Sequence, residues 1–155
     1  MPSQVPRAGA LNMLNSDYSD FTSQYTTVED TGKGMMLLIG RDKSLETGIK
    51  LPVYFSKAVW QKYVDVPAGM EDLEDLPARL WDLLRFYMYA TKNNPEESLE
   101  FEIICRVPNA SIWETHEKPI VDSFQKRIAR LKSVFKKQHE NDPLPAIFIM
   151  KPDED

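Results

Sequence analysis

Leu99-Glu100-Phe101-Glu102-Ile103-Ile104-Cys105-Arg106-Val107 decides the fold class. Leu99, Phe101, Ile103, Cys105 and Val107 alternate with Glu100, Glu102, Ile104 and Arg106. A period of two places successive side chains on opposite faces of a strand, so one face is apolar and the other polar. Such a strand belongs to an antiparallel sheet covered on one side. Cys105 falls on the apolar face and reads as a small core hydrophobe.

Working outward, Met35 to Ile39 is a short apolar run between Gly34 and Gly40, which fits a buried strand. Leu51 to Phe55 is a second extended stretch. Pro52 has no N–H for a ladder, so this strand sits at an edge or begins there. Ala146 to Met150 is the last apolar strand. Between these lie helical signals. Ser56 is a good N-cap for a short helix carrying Val59, Trp60, Tyr63 and Val64. The clearest helix runs from about Leu73 to Lys92, with Leu76, Leu80, Leu84 and Tyr87 in one apolar stripe. Pro77 is tolerated only in a first turn, which moves the start to Asp75 or Leu76.

The fold class is therefore α+β: a small, mainly antiparallel sheet with helices on one face. Residues 1 to 32 are rich in Ser, Thr, Asp, Asn and Gln and show neither period, so they read as a flexible N-terminal arm ahead of one domain over 33–155. A chain of 155 residues, 42% hydrophobic, can bury a core without disulfides or metal. One Cys and two His exclude a Cys-rich zinc site. No window approaches the roughly 18 apolar residues of a membrane span, and the single Cys suits a reducing compartment, so the expected location is cytoplasmic, with no membrane partner.

The net charge of -5 argues against general affinity for phosphate backbones, but the charge is unevenly spread. Residues 65 to 102 carry ten acids against Arg79, Arg85 and Lys92. From 118 to 137, seven bases face only Asp122. Ile120, Phe124, Ile128, Leu131 and Phe135 recur at helical steps, which makes one amphipathic helix of Lys118 to Glu140.

A second reading of that segment comes from a resemblance. Leu51-Pro52-Val53, Val59-Trp60, Arg79-Leu80-Trp81-Asp82, the strand ending Arg106-Val107-Pro108, Leu131-Lys132-Ser133-Val134, and the end Ile149-Met150-Lys151-Pro152-Asp153-Glu154-Asp155 occur in that order. Over roughly residues 48 to 155 the chain resembles an uncharacterised domain-of-unknown-function family of bacterial, phage and plasmid proteins. The resemblance implies a mobile-element setting and supplies no catalytic residues. It also implies that about Ile128 to Phe135 is the first strand of a C-terminal hairpin, in place of a helix. The two readings stand side by side.

The chain carries few chemical motifs. Thr31-Gly32-Lys33-Gly34 lacks the spacing of a phosphate loop, and His116 and His139, each followed by Glu without an HExxH pattern, read as surface histidines. No catalytic residue, metal ligand or cofactor emerges. The expected function is a non-enzymatic accessory protein of a phage or mobile element that binds a host or phage protein, with an anti-defence or host-modulating effect. Trp60, Trp81, Phe86 and Tyr89 are the candidate contact residues. Trp81 has two readings, a core anchor or part of a groove with Trp60 and Phe86. The alternative is a nucleic-acid-binding module using Lys126, Arg127, Arg130, Lys136 and Lys137 with Trp113 as a stacking group. Homo-oligomerisation is left open.

Overall fold

A computed structural model describes residues 25–31, 34–66, 69–93, 97–107, 111–120, 126–139 and 142–154. In chain order the elements are β1 (Thr26–Asp30), β2 (Met35–Ile39), α1 (Arg41–Glu46), β3 (Val53–Phe55), α2 (Lys57–Val59), a π-helical turn (Trp60–Val64), α3 (Leu76–Asn93), β4 (Ser98–Arg106), β5 (Glu117–Pro119), β6 (Lys126–His139) and β7 (Asp142–Met150). The strands form one sheet in the order β1-β2-β3-β7-β6-β4, with β5 also on β6. Only β3 and β7 run parallel, so the sheet is mainly antiparallel and the fold is α+β.

Leu37, Phe55, Phe101, Leu131 and Ile149 on one face of the sheet join Trp60, Tyr63, Leu80 and Leu84 from the helices in a single apolar cluster. The helices thus cover the face that the alternation in β4 requires to be covered. On the other face Tyr54 and Phe148 stack at 5.1 Å, beside Met36, Leu38 and Val134.

Local chemistry explains the helix limits. Ser56 accepts a hydrogen bond from the Val59 N–H at 3.2 Å, starting α2. Asp75 Oδ1 accepts from the Ala78 N–H at 3.0 Å, which caps α3 and leaves Pro77 in the first turn. The Asp65 N–H reaches back five residues to the Trp60 carbonyl at 2.8 Å, the bond that defines the π-helical turn.

Three expectations change. First, the helical reading of 118 to 140 gives way to the hairpin β6–β7. Arg127, Ala129, Leu131 and Ser133 are the buried positions of β6. An Arg and a Ser at inward positions hide the two-residue period, and Ile128 and Phe135 on the other side imitate a helical one. Second, part of the supposed arm belongs to the sheet, since β1 pairs with β2 from Thr26↔Ile39 to Asp30↔Met35. The domain therefore begins before residue 33, with buried Thr26 and half-buried Val28 on the inward side of β1 and Val28 packed against the core. Residues 1–24, the rest of the predicted arm, lie outside the described residues. Third, of the two readings of Pro52 the edge position fails, because β2 and β7 flank β3, and the other agrees with the structure, in which β3 begins directly after Pro52.

Candidate functional site

β6 carries β5 and β7 along the same flank, and the two meet near residues 130–132: the Arg130 N–H donates to the His116 carbonyl at 2.9 Å, and Lys132 lies opposite Met150. The π-helical turn packs against this junction. Together these segments gather Lys62, Tyr63, Glu114, His116, Glu117, Arg127 and Lys151.

Glu117 is the hub. Its Oε1 accepts from Arg127 Nη1 at 2.8 Å and from the Glu114 N–H at 3.1 Å; its Oε2 lies 2.9 Å from Lys62 Nζ and accepts the Tyr63 hydroxyl proton. Burial pushes the Glu117 carboxyl up, but the bonds from Tyr63, Lys62 and the Glu114 N–H outweigh it and leave the group below its ordinary value. Glu114 is held by Lys151 at 2.8 Å and Lys62 at 2.6 Å, and these bonds overcome partial burial to bring its carboxyl down to about 2.

Tyr63 has one hydroxyl hydrogen, and it is donated to Glu117. His116 Nε2, 2.7 Å from the Tyr63 oxygen, must therefore carry the hydrogen it shares with that oxygen. The chain of donation runs His116 to Tyr63 to Glu117. Burial, then the bond to Glu117 and its charge, raise the Tyr63 phenol, which stays protonated; burial lowers His116 despite the nearby carboxylates, so the imidazole is neutral at pH 7. His116 is thus a buried, hydrogen-bonded histidine and not the surface residue its polar neighbours suggest. The side chain of His139 lies outside the described residues.

Glu114, His116 and Glu117 could offer three metal ligands within 4.8 Å of one another. The carboxylate oxygens already hold Lys62, Lys151 and Arg127, so an entering cation would have to displace ammonium and guanidinium groups. Three cations, Lys62, Arg127 and Lys151, already surround these two carboxylates, so the network holds no spare negative charge for a metal ion.

What the network does is hold a loop. Arg127 Nη2 donates to the Ser111 carbonyl at 2.8 Å and Nη1 to the Ile112 carbonyl at 3.2 Å; Lys62 Nζ adds a bond to the Ile112 carbonyl at 2.9 Å. The Arg127 guanidinium also lies 3.8 Å from the centre of the Trp113 ring. On this clamped backbone Ile112 is 81% and Trp113 50% exposed.

The sequence candidates fall in different places. Trp60 is 2% exposed and belongs to the core, which removes it from any contact surface. Trp81, 42% exposed under the Arg85 guanidinium at 5.0 Å, is not a core anchor and forms no groove with Trp60. Phe86 is half-buried and Tyr89 is exposed on α3. Of the basic candidates, Arg127 is buried, Arg130 pairs with Glu100 at 3.2 Å, and Lys136 lies over the Phe148 ring at 5.2 Å. Strand alternation puts Lys126, Arg130 and Lys136 on the face opposite Arg127. The side chain of Lys137 lies outside the described residues. Sequence reasoning missed Ile112, Lys62, Tyr63, Glu114 and Glu117. An exposed Ile-Trp pair between Pro108 and Glu114 was the one available signal.

No protein-family model, no curated protein and no solved structure matches the chain.

Proposed function

We propose that this protein works by docking on another protein, with Ile112 and Trp113 as the anchor. The carrying observation is that two large apolar side chains stand in solvent on a backbone fixed by buried Arg127 and half-buried Lys62. Burying an ion pair contributes little to net stability, so the network is better understood as positioning this loop. A preorganised anchor binds without the entropy loss of ordering itself, and Trp is enriched at interface hot spots. The mobile-element setting implied by the resemblance makes the partner a host or phage protein, with inhibition of a defence function as the consequence.

The test is affinity capture with the intact chain, compared across variants. Trp113→Ala and Ile112→Ser should lose a stoichiometric protein partner that wild type and Tyr89→Ala retain, with little change in melting temperature. Equal capture by all four proteins sinks the proposal. So does retention on nucleic acid that collapses between about 50 and 200 mM salt, which belongs to the nucleic-acid alternative.

A further inference from the structure

We propose that the outer edge of β4 is a second docking site, one that takes a basic, extended segment of another protein as an added strand alongside α3. β4 is the terminal strand of the sheet and pairs with β6 without a break from Ser98↔Val134 to Arg106↔Lys126. It contains neither proline nor bulge, two devices that normally close an edge. Among the described residues no strand pairs with its outer side.

The polarity of that edge follows from one hydrogen bond. The Phe135 N–H donates to the Glu97 carbonyl at 2.8 Å, so the odd-numbered residues of β4 turn their backbone groups toward β6. Ser98, Glu100, Glu102 and Ile104 consequently turn theirs outward. Arg106 should do so as well, and its carbonyl indeed accepts from Arg79 Nη1 at 3.0 Å, which closes the edge at that end.

A second copy of the chain does not fit. Every two-fold antiparallel pairing that uses five or more residues of 98–104 sets Glu100 or Glu102 opposite a glutamate, and like charges directly opposite are destabilising. A partner with Lys or Arg at those positions turns the repulsion into attraction. Glu100 and Glu102 now face Arg130 at 3.2 Å and Lys118 at 3.6 Å, but these are exposed pairs and weak competitors.

Edge acids alone are a common guard against aggregation. Here a wall from α3, apolar at Phe86 and Tyr89 and acidic at Asp82, accompanies them. Asp82 and Phe86 of α3 line a shallow notch with Ile104, and Tyr89, on the same helix face, is 73% exposed. Arg79 near the start of α3 reaches the Arg106 carbonyl at the end of β4, and further along the Tyr87 and Phe101 rings meet at 5.5 Å, so α3 runs antiparallel to β4 and carries this face along the strand. An added strand would therefore alternate, with basic side chains toward Glu100 and Glu102 and apolar ones toward Phe86 and Tyr89.

The probe is a blocked peptide of about nine residues alternating Lys with Val and Thr, titrated into the full chain and followed by backbone amide shifts and exchange. Amides of Glu100, Glu102 and Ile104 should shift and exchange about tenfold more slowly, and a peptide with Glu for Lys should bind about tenfold more weakly. Glu100→Lys/Glu102→Lys should invert that preference, while Trp113→Ala should leave it untouched. Should the double variant fold poorly, N-methylating the ladder-facing amides of the Lys peptide must abolish binding to wild type. Unmoved β4 amides at millimolar peptide, equal binding of both peptides, or shifts confined to Asp153 and Glu154 would each overturn the proposal.

Discussion

Arg127 and Glu117 meet at 2.8 Å with both side chains almost wholly withdrawn from water. A buried pair of this kind gives little over well-packed apolar side chains, yet breaking it strands a charge.

Removing one partner is consequently expensive. Glu117→Gln should destabilise the protein by about 3 kcal/mol, because buried Arg127 loses its anionic counterpart while Lys62 keeps only Glu114, and Arg127→Met should cost a similar amount. The double variant should cost clearly less than the two single losses added together. Urea unfolding of the four proteins checks this, and strict additivity would contradict the coupling described above.

Acid should destabilise the protein over two separate pH ranges. His116 titrates below its usual 6.5 because burial disfavours the imidazolium, so the folded state binds that proton less readily than the unfolded chain. Its contribution is complete above about pH 6.5 and fades as pH falls. Glu114 and Glu117 sit below their usual 4.5 through bonds from Lys151, Lys62 and Tyr63 that outweigh burial, so their contribution is complete above that value and is lost toward pH 2. Stability measured from pH 7.5 to 3 should show both limbs. His116→Gln, which keeps a donor for the Tyr63 oxygen, should remove the upper limb alone.

Cys105 should be nearly inert in the native state. Burial pushes its thiol up to about 12. At pH 8 its thiolate fraction is then about a thousandfold below that of a free cysteine, and alkylation by iodoacetamide should slow to match. Denaturant should restore the ordinary rate. Fast native alkylation would show that the thiol is not shielded.

Ser56 does two jobs: it caps α2 through the Val59 N–H and donates to Glu154 Oε1 at 2.7 Å. Ser56→Ala should cost about 1 kcal/mol, chiefly the cap. Glu154→Ala should cost less in the same thermal melts and should free the 151–154 turn, in which Glu154 Oε1 also accepts the Lys151 N–H at 2.8 Å.

Elements with a strong period were legible. The alternation of β4, the stripe of α3, the cap at Ser56 and the apolar runs of β2 and β7 all lie where local pattern places them. β6 was legible only through the resemblance, because its inward positions carry Arg127 and Ser133. Among the site residues, Phe86, Tyr89 and Trp113 were visible as aromatics at polar positions. Trp60 was misjudged as a surface group because its neighbours along the chain do not reveal the sheet that covers it.

Sequence by itself determined that this chain builds a one-sided, mainly antiparallel sheet under helices, since period and capping depend on neighbours a few residues apart. Tertiary structure alone decided that Lys62, Tyr63, Glu114, His116, Glu117, Arg127 and Lys151 form one network and that Ile112 and Trp113 stand upon it. The reason is range. Desolvation and pairing act through space, and the partners come from segments up to about ninety residues apart along the chain, a separation no local pattern encodes.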